Sequence, residues 1–153
     1  LQEYNIAADM IYLEITEDMF FDSKTEAIET MEKLRAEGIR FSIDDFGVGR
    51  SSLFRLHSLP IDEIKIDKSF AKFTDEASNT NRSIVKAALE IADAKDVDLV
   101  VEGVESHSAM DTLFKLGVDY VQGYYFKEPL KSESFSNLIG HYSIHNFKRD
   151  FWI

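Results

Sequence analysis

Ile39-Arg-Phe-Ser-Ile-Asp44 alternates apolar and polar residues, and Glu63-Ile-Lys-Ile-Asp67 repeats that pattern further along the chain. Each has the length and the β-branched or aromatic content of a strand. Between them lie a glycine-containing loop and a short apolar stretch, Leu53, Phe54 and Leu56, that reads as a helix stopping before Pro60, because proline cannot continue a helical ladder. Strand, helix, strand is the unit from which parallel sheets are built. The same reading extends outward. Met10 to Ile15 predicts a buried first strand, followed by a helix with Ala27, Met31 and Leu34 on one face, N-capped at Asp22 or Ser23 and closed at Gly38. After Asp67, the spacing of Ile84, Ala87, Ala88, Ile91 and Ala92 predicts an amphipathic helix. Val97 to Glu102 is a fourth strand, Met110, Leu113 and Phe114 mark a helix ending at Gly117, Tyr120 to Gly123 is a fifth strand, and a last helix covers Ser132 to Ile139.

Strict alternation of strand and helix, with strands that are largely apolar, predicts an α/β protein with a parallel sheet covered by helices. The repeat of roughly 25 to 35 residues suits either a doubly wound sheet or an arc of a (β/α)₈ barrel. A complete barrel needs about 250 residues, and this chain has 153. Its 17 basic and 28 acidic residues give a net charge of −11. With no basic stripe to neutralise phosphates, DNA and RNA are excluded as partners. No apolar run is long enough for a membrane span and no signal-peptide pattern is present, so no membrane insertion and a cytoplasmic location are expected. The chain contains no cysteine, which excludes disulfides and thiolate metal sites.

The polar residues within these strands fall at their C-terminal ends. Glu14 lies near the end of the first, Asp44 and Asp45 end the second, Lys65 and Asp67 the third and Glu102 the fourth, with Gln122 in the fifth. That edge holds the active site in parallel α/β architectures. A charge inside an apolar strand costs several kcal/mol unless it is paired or bound to metal. Singly, Asp44-Asp45 reads as turn chemistry and Lys65 as a lysine blunting a sheet edge; together they read as one convergent site. The histidines, His57, His107, His141 and His145, lack metal-ligand spacing. Carboxylate and amide oxygens without thiolate or clustered imidazole suit Mg²⁺ or Mn²⁺. An acid pair can bridge two such ions, and a lysine at the rim can orient or deprotonate water for attack on a phosphodiester.

Five ordered segments resemble the EAL-domain family of bacterial cyclic di-GMP phosphodiesterases. They are Leu13-Glu-Ile-Thr-Glu17, Asp44-Asp-Phe-Gly-Val-Gly-Arg-Ser-Ser52, Leu59-Pro-Ile-Asp-Glu-Ile-Lys-Ile-Asp-Lys-Ser-Phe70, Val101-Glu-Gly-Val-Glu105, and Val121-Gln-Gly-Tyr-Tyr-Phe126 with Pro129. The resemblance implies a (β/α)₈-like barrel that opens cyclic di-GMP to linear pGpG with Mg²⁺ or Mn²⁺. It implies that Glu14, Asp44 and Asp45 are metal ligands, that Lys65 positions or activates water, that Glu102 and Gln122 complete the metal and water shell, and that Glu17 anchors the loop after Asp45. The family's Glu-Ala-Leu strand has no counterpart here, which implies a partial barrel lacking its first three or so βα units. Arg50 stands where the family usually has an aromatic residue.

The expectation is therefore the C-terminal part of a phosphodiesterase over residues 1–140. An aromatic tail, 141–153, would pack on the domain or a partner. The 153 residues alone are expected to be inactive, and to form a homodimer or join the missing barrel portion, because an open arc leaves strand edges and an inward apolar face exposed. The alternative is a non-catalytic EAL-like module that binds cyclic di-GMP or a protein. A receiver-like signalling domain is disfavoured by order: there the acid pair follows the first strand and the lysine the fifth.

Overall fold

The computed structural model describes residues 1–16, 25–49, 53–73 and 78–141. The elements are β1 (Tyr12–Thr16), α1 (Thr25–Ala36), β2 (Arg40–Phe46), α2 (Leu53–Ser58), β3 (Glu63–Ile66), α3 (Ser78–Lys95), β4 (Asp98–Val101), α4 (His107–Lys115), β5 (Tyr120–Val121) and α5 (Ser132–His141), with 3₁₀ turns at Gln2–Tyr4, Ala8–Met10 and Lys68–Ala71. The expected caps Asp22 and Ser23, the loop residues Glu17 and Arg50, His145 and the tail from 142 lie outside the described residues.

All strand pairs are parallel, and the order across the sheet is β1-β2-β3-β4-β5. Spatial order equal to chain order removes the doubly wound alternative, which requires the order to reverse at a switch point. It is the arrangement of consecutive strands in a barrel wall.

One face of this arc carries the core. Phe41, Ile43, Ile64, Ile66, Leu99 and Val101 pack with Met31, Val85, Ala88, Ala92, Ala109 and Leu113 from the helices. Ile43, Ile64, Val85, Val101 and Leu113 are fully buried, each burial being worth about 1.5–3 kcal/mol. At the N-terminal ends of the strands, the Asp62 carboxylate accepts from the Phe41 amide at 2.9 Å and from Arg35 at 2.7 Å, fixing β3 against β2.

Three expectations need correction. The first strand is not buried: it is an edge strand whose Leu13 and Glu14 are exposed, and it starts at Tyr12 because Ala8–Met10 closes a 3₁₀ turn. The fifth strand stops at Val121, since the Gln122 carbonyl turns to accept from the Val104 amide. The inward face is not apolar. Register places Glu14 opposite Ser42, Thr16 opposite Asp44, Ser42 opposite Glu63, and Lys65 opposite Val100. Alternate residues share a face, so that face is dominated by acids, a serine and a lysine. No helix among the described residues is long and apolar enough to cross a membrane.

Candidate active site

Lys65, central on β3, organises the strand ends. Its Nζ lies 2.7 Å from Glu14 Oε1, 2.6 Å from Glu102 Oε1 and 3.8 Å from Asp44 Oδ1. β1, β2 and the turn after β4 thus each supply one carboxylate to one ammonium. The sequence placed this lysine at the rim; in the structure its side chain is only 8% exposed. Burial alone would lower its pKa, but the hydrogen bonds to Glu102 and Glu14 outweigh that and hold it above the ordinary lysine range. An unpaired lysine here would cost several kcal/mol, so the acids and the lysine require one another.

Adjacent residues of a regular strand point to opposite faces, but the backbone at Asp44-Asp45 departs from a regular strand. The β2–β3 register slips between Ile43 and Phe46, and Asp45 has φ 56°, a left-handed conformation that Asp tolerates better than most residues. The Asp45 amide donates to Asp44 Oδ1 at 3.0 Å. Burial, then the neighbouring charges of Asp44 and Asp67, push the Asp45 carboxyl above its usual range, against the opposing pull of Lys65 and Lys68. Negative charge is crowded at this corner, and a cation would relieve it.

Asp67 ends the strand in a different role, as the cap of the Lys68–Ala71 turn, accepting from the Ser69 amide at 2.9 Å. Burial opposes its ionisation, but the bonds from Ser69 and the charge of Lys68 outweigh it, and its pKa is lowered. The folded protein therefore keeps Asp67 ionised to lower pH than the unfolded chain does. Its contribution is complete above the ordinary aspartate value near ~4 and is lost as pH falls through the folded value. Asp67→Asn is expected to flatten this acid-side loss of stability, as measured by urea midpoints from pH 6 to pH 3; an unchanged slope would remove Asp67 from the account.

Glu102 is held by its backbone. Its amide donates to the Ile66 carbonyl at 3.1 Å, and Gly103, at φ 69°, lies so close to Lys68 that a Cβ would overlap it. Gln122 is exposed at the same edge. Its amide donates to Val101 and its carbonyl accepts from Val104, and its side chain joins none of the ion pairs of Lys65 among the described residues. Glu17, the expected loop anchor, lies outside the described residues.

Sequence reasoning missed two contributors. Ser42 is completely buried on the acid-bearing face, with its Oγ lacking a hydrogen-bond partner among the described residues; only its alternation with Asp44 marked it. Phe70 packs against Gly47, whose φ of 98° forms the turn after the acid pair. Of the histidines, His57 lies in α2, His141 ends α5, and His107 opens α4 with its Nδ1 3.1 Å from the Tyr125 hydroxyl.

The donor chemistry fits a hard divalent cation, since Glu14, Asp44, Asp45 and Glu102 offer carboxylate oxygens at one strand edge. The acids are nevertheless gathered on an ammonium: no group of three or more acids or histidines among the described residues is arranged to hold an ion.

Comparison with known proteins identifies the relatives of this chain. The EAL domain model matches residues 1–129. The chain is 38% identical over 130 residues to the cyclic di-GMP phosphodiesterase NbdA of Pseudomonas aeruginosa, covering 85% of this chain and 16% of that protein. The crystal structure of the EAL domain of Mycobacterium smegmatis DcpA superposes with a TM-score of 0.83 and 34% identity, over 91% of this chain and 62% of that one. Klebsiella pneumoniae BlrP1, solved as a manganese and cyclic di-GMP complex, superposes with a TM-score of 0.76 and 27% identity, over 84% of this chain and 33% of that one. The chain spans less than two thirds of each of these three proteins. A match over residues 1–129, most of its length, shows that the chain belongs to the EAL domain family.

Proposed function

We propose that this chain supplies the catalytic strand ends of a metal-dependent phosphodiesterase that hydrolyses cyclic di-GMP to linear pGpG in bacterial second-messenger signalling, acting once the barrel is complete. The observation that carries the proposal is the convergence of Glu14, Asp44 and Glu102 on the buried Lys65 at the C-terminal edge of a parallel arc. A site made only of structural ion pairs has no need of Asp45, whose carboxyl is crowded by Asp44 and Asp67. The manganese in the BlrP1 complex points to a divalent ion here, and Mg²⁺ or Mn²⁺ suits the oxygen donors.

In this reading Glu14, Asp44 and Asp45 would hold the ions, which when bound would supply Lewis-acid polarisation of a phosphate oxygen and an acidified water. Lys65 orients the attacking water and balances negative charge on the phosphate. Glu102 holds the Lys65 ammonium in place, Gln122 offers an amide to the water shell, and Glu17 anchors the loop after Asp45. A −11 chain repels an anionic dinucleotide, and bound cations offset that repulsion. The open edge of β1, with Leu13 exposed, is the surface through which the arc would join the remaining barrel strands or a second copy. The cytoplasm, where a nucleotide messenger acts, is the matching location.

The test is incubation of the full-length protein with cyclic di-GMP and Mn²⁺ or Mg²⁺, followed by chromatography. Metal-dependent appearance of linear pGpG is the expected result. Nucleotide retained without turnover would replace this reading with a binding module.

A further inference from the structure

The buried face of α3 begins with a polar residue. Asn81, Val85, Ala88 and Ala92 form that face, and Asn81 is 8% exposed. Packing alone would place an aliphatic side chain there, since a buried amide is costly unless its N–H groups find acceptors. Asparagine carries two N–H donors on one rigid group. Here both run to a single turn: Nδ2 donates to the Ser69 carbonyl at 3.2 Å and to the Lys72 carbonyl at 2.7 Å. These carbonyls bracket the end of the 3₁₀ turn Lys68–Ala71, the first inside it and the second just beyond it, while Asp67 caps its start. The turn is held at both ends.

That turn touches two parts of the site. On one side Lys68 is pressed against Gly103, where a Cβ would overlap it, and Gly103 follows Glu102, whose carboxylate pairs with Lys65 at 2.6 Å. On the other side the Phe70 ring lies against Gly47, two residues after Asp45. Resting on the phosphodiesterase reading above, we propose that Asn81 is a positioning residue for that reaction: by holding the Lys68–Ala71 turn, it fixes the Glu102 backbone and the turn after the Asp44-Asp45 pair relative to one another. It acts from a distance, because both of its hydrogen bonds go to the turn and neither to an acid of the site. Misplacing groups that must act together by about 1 Å can cost about a hundredfold in rate. The loss of such a clamp therefore falls on turnover rather than on substrate affinity.

Asn81→Ala in the full-length protein should lower kcat for cyclic di-GMP at least tenfold and leave KM within threefold, at a temperature where the variant is fully folded. Ala92→Gly, which weakens the same helix far from the turn, should keep kcat within threefold. Near-normal kcat in Asn81→Ala, or equal losses in the two variants, reduces Asn81 to a helix-packing residue and overturns the proposal. Amide hydrogen exchange reads the clamp without turnover. Relative to the amides in the middle of α4, exchange in Asn81→Ala should quicken at least tenfold at Phe70, whose amide donates to Asp67 at 3.0 Å within the turn, and at Glu102, whose amide donates to Ile66 at 3.1 Å beyond it. Quickening confined to the turn overturns the proposal, as does none at all. If the unsubstituted protein forms no linear pGpG, the hydrolytic reading fails by itself, and exchange at Glu102 still decides whether Asn81 governs the geometry of the site. If Asn81→Ala does not fold, Asn81→Ser, a milder truncation, replaces it in both measurements under the same criteria.

Discussion

Asp44→Asn is expected to slow cyclic di-GMP hydrolysis by roughly two orders of magnitude or more in the full-length protein. The substitution keeps the shape and the oxygen that accepts from the Asp45 amide, but it removes a negative charge 3.8 Å from Lys65. Metal-assisted stabilisation of a phosphodiester transition state supplies several kcal/mol, and each 1.36 kcal/mol lost is about tenfold in rate. Single-turnover rates with saturating Mn²⁺ separate this loss from weaker nucleotide binding, and near-normal turnover would sink the proposed ligand role. Asp45→Asn should pair a comparable loss of rate with a melting temperature that holds or rises. It removes a carboxyl pushed up by burial and by Asp44 and Asp67, and asparagine tolerates the left-handed backbone at φ 56°. Opposite effects on rate and stability distinguish a functional acid from a structural one.

Gly123→Ala carries the largest expected cost to the fold. A Cβ there would overlap the backbone of Val104, and backbone, unlike a flexible side chain, cannot step aside. Relief requires separating the turns that follow β4 and β5, which breaks the Val104 amide to Gln122 carbonyl bond at 3.0 Å and the Tyr125 amide to Val104 carbonyl bond at 2.9 Å. Val104 is fully buried, so these groups would find no water. At about 1–3 kcal/mol for each buried group left unsatisfied, the loss is about 3 kcal/mol or more. Because the same turn carries Glu102, the variant should also loosen the Lys65–Glu102 ion pair. A denaturant midpoint equal to that of the unsubstituted protein would show that the loops have slack the structure does not display.

Much of the architecture is legible in the amino-acid order because it depends on local periodicity. The helix ends at Gly38 and Gly117, both at positive φ, and the placing of acids at strand termini follow from spacings a few residues long, whereas the α3 face read from Ile84, Ala87, Ala88, Ile91 and Ala92 is turned in the structure: Val85 is buried with Ala88 and Ala92, and Ala87 is exposed. The one-dimensional record also names the acids and the lysine, since charge in an apolar strand is costly wherever the strand ends up. Tertiary structure alone decided the rest. Strand order across the sheet, which separates a barrel arc from a doubly wound sheet, depends on pairings between distant segments. The depth of Lys65 depends on Glu14, 51 residues away in the chain, so a lysine read locally as a rim residue becomes the buried centre of an acid cluster. The irregular backbone at Asp44 and Asp45 depends on a register slip against β3, which no local spacing records. Periodicity is written in neighbours along the chain, whereas the electrostatics of the site are set by neighbours in space.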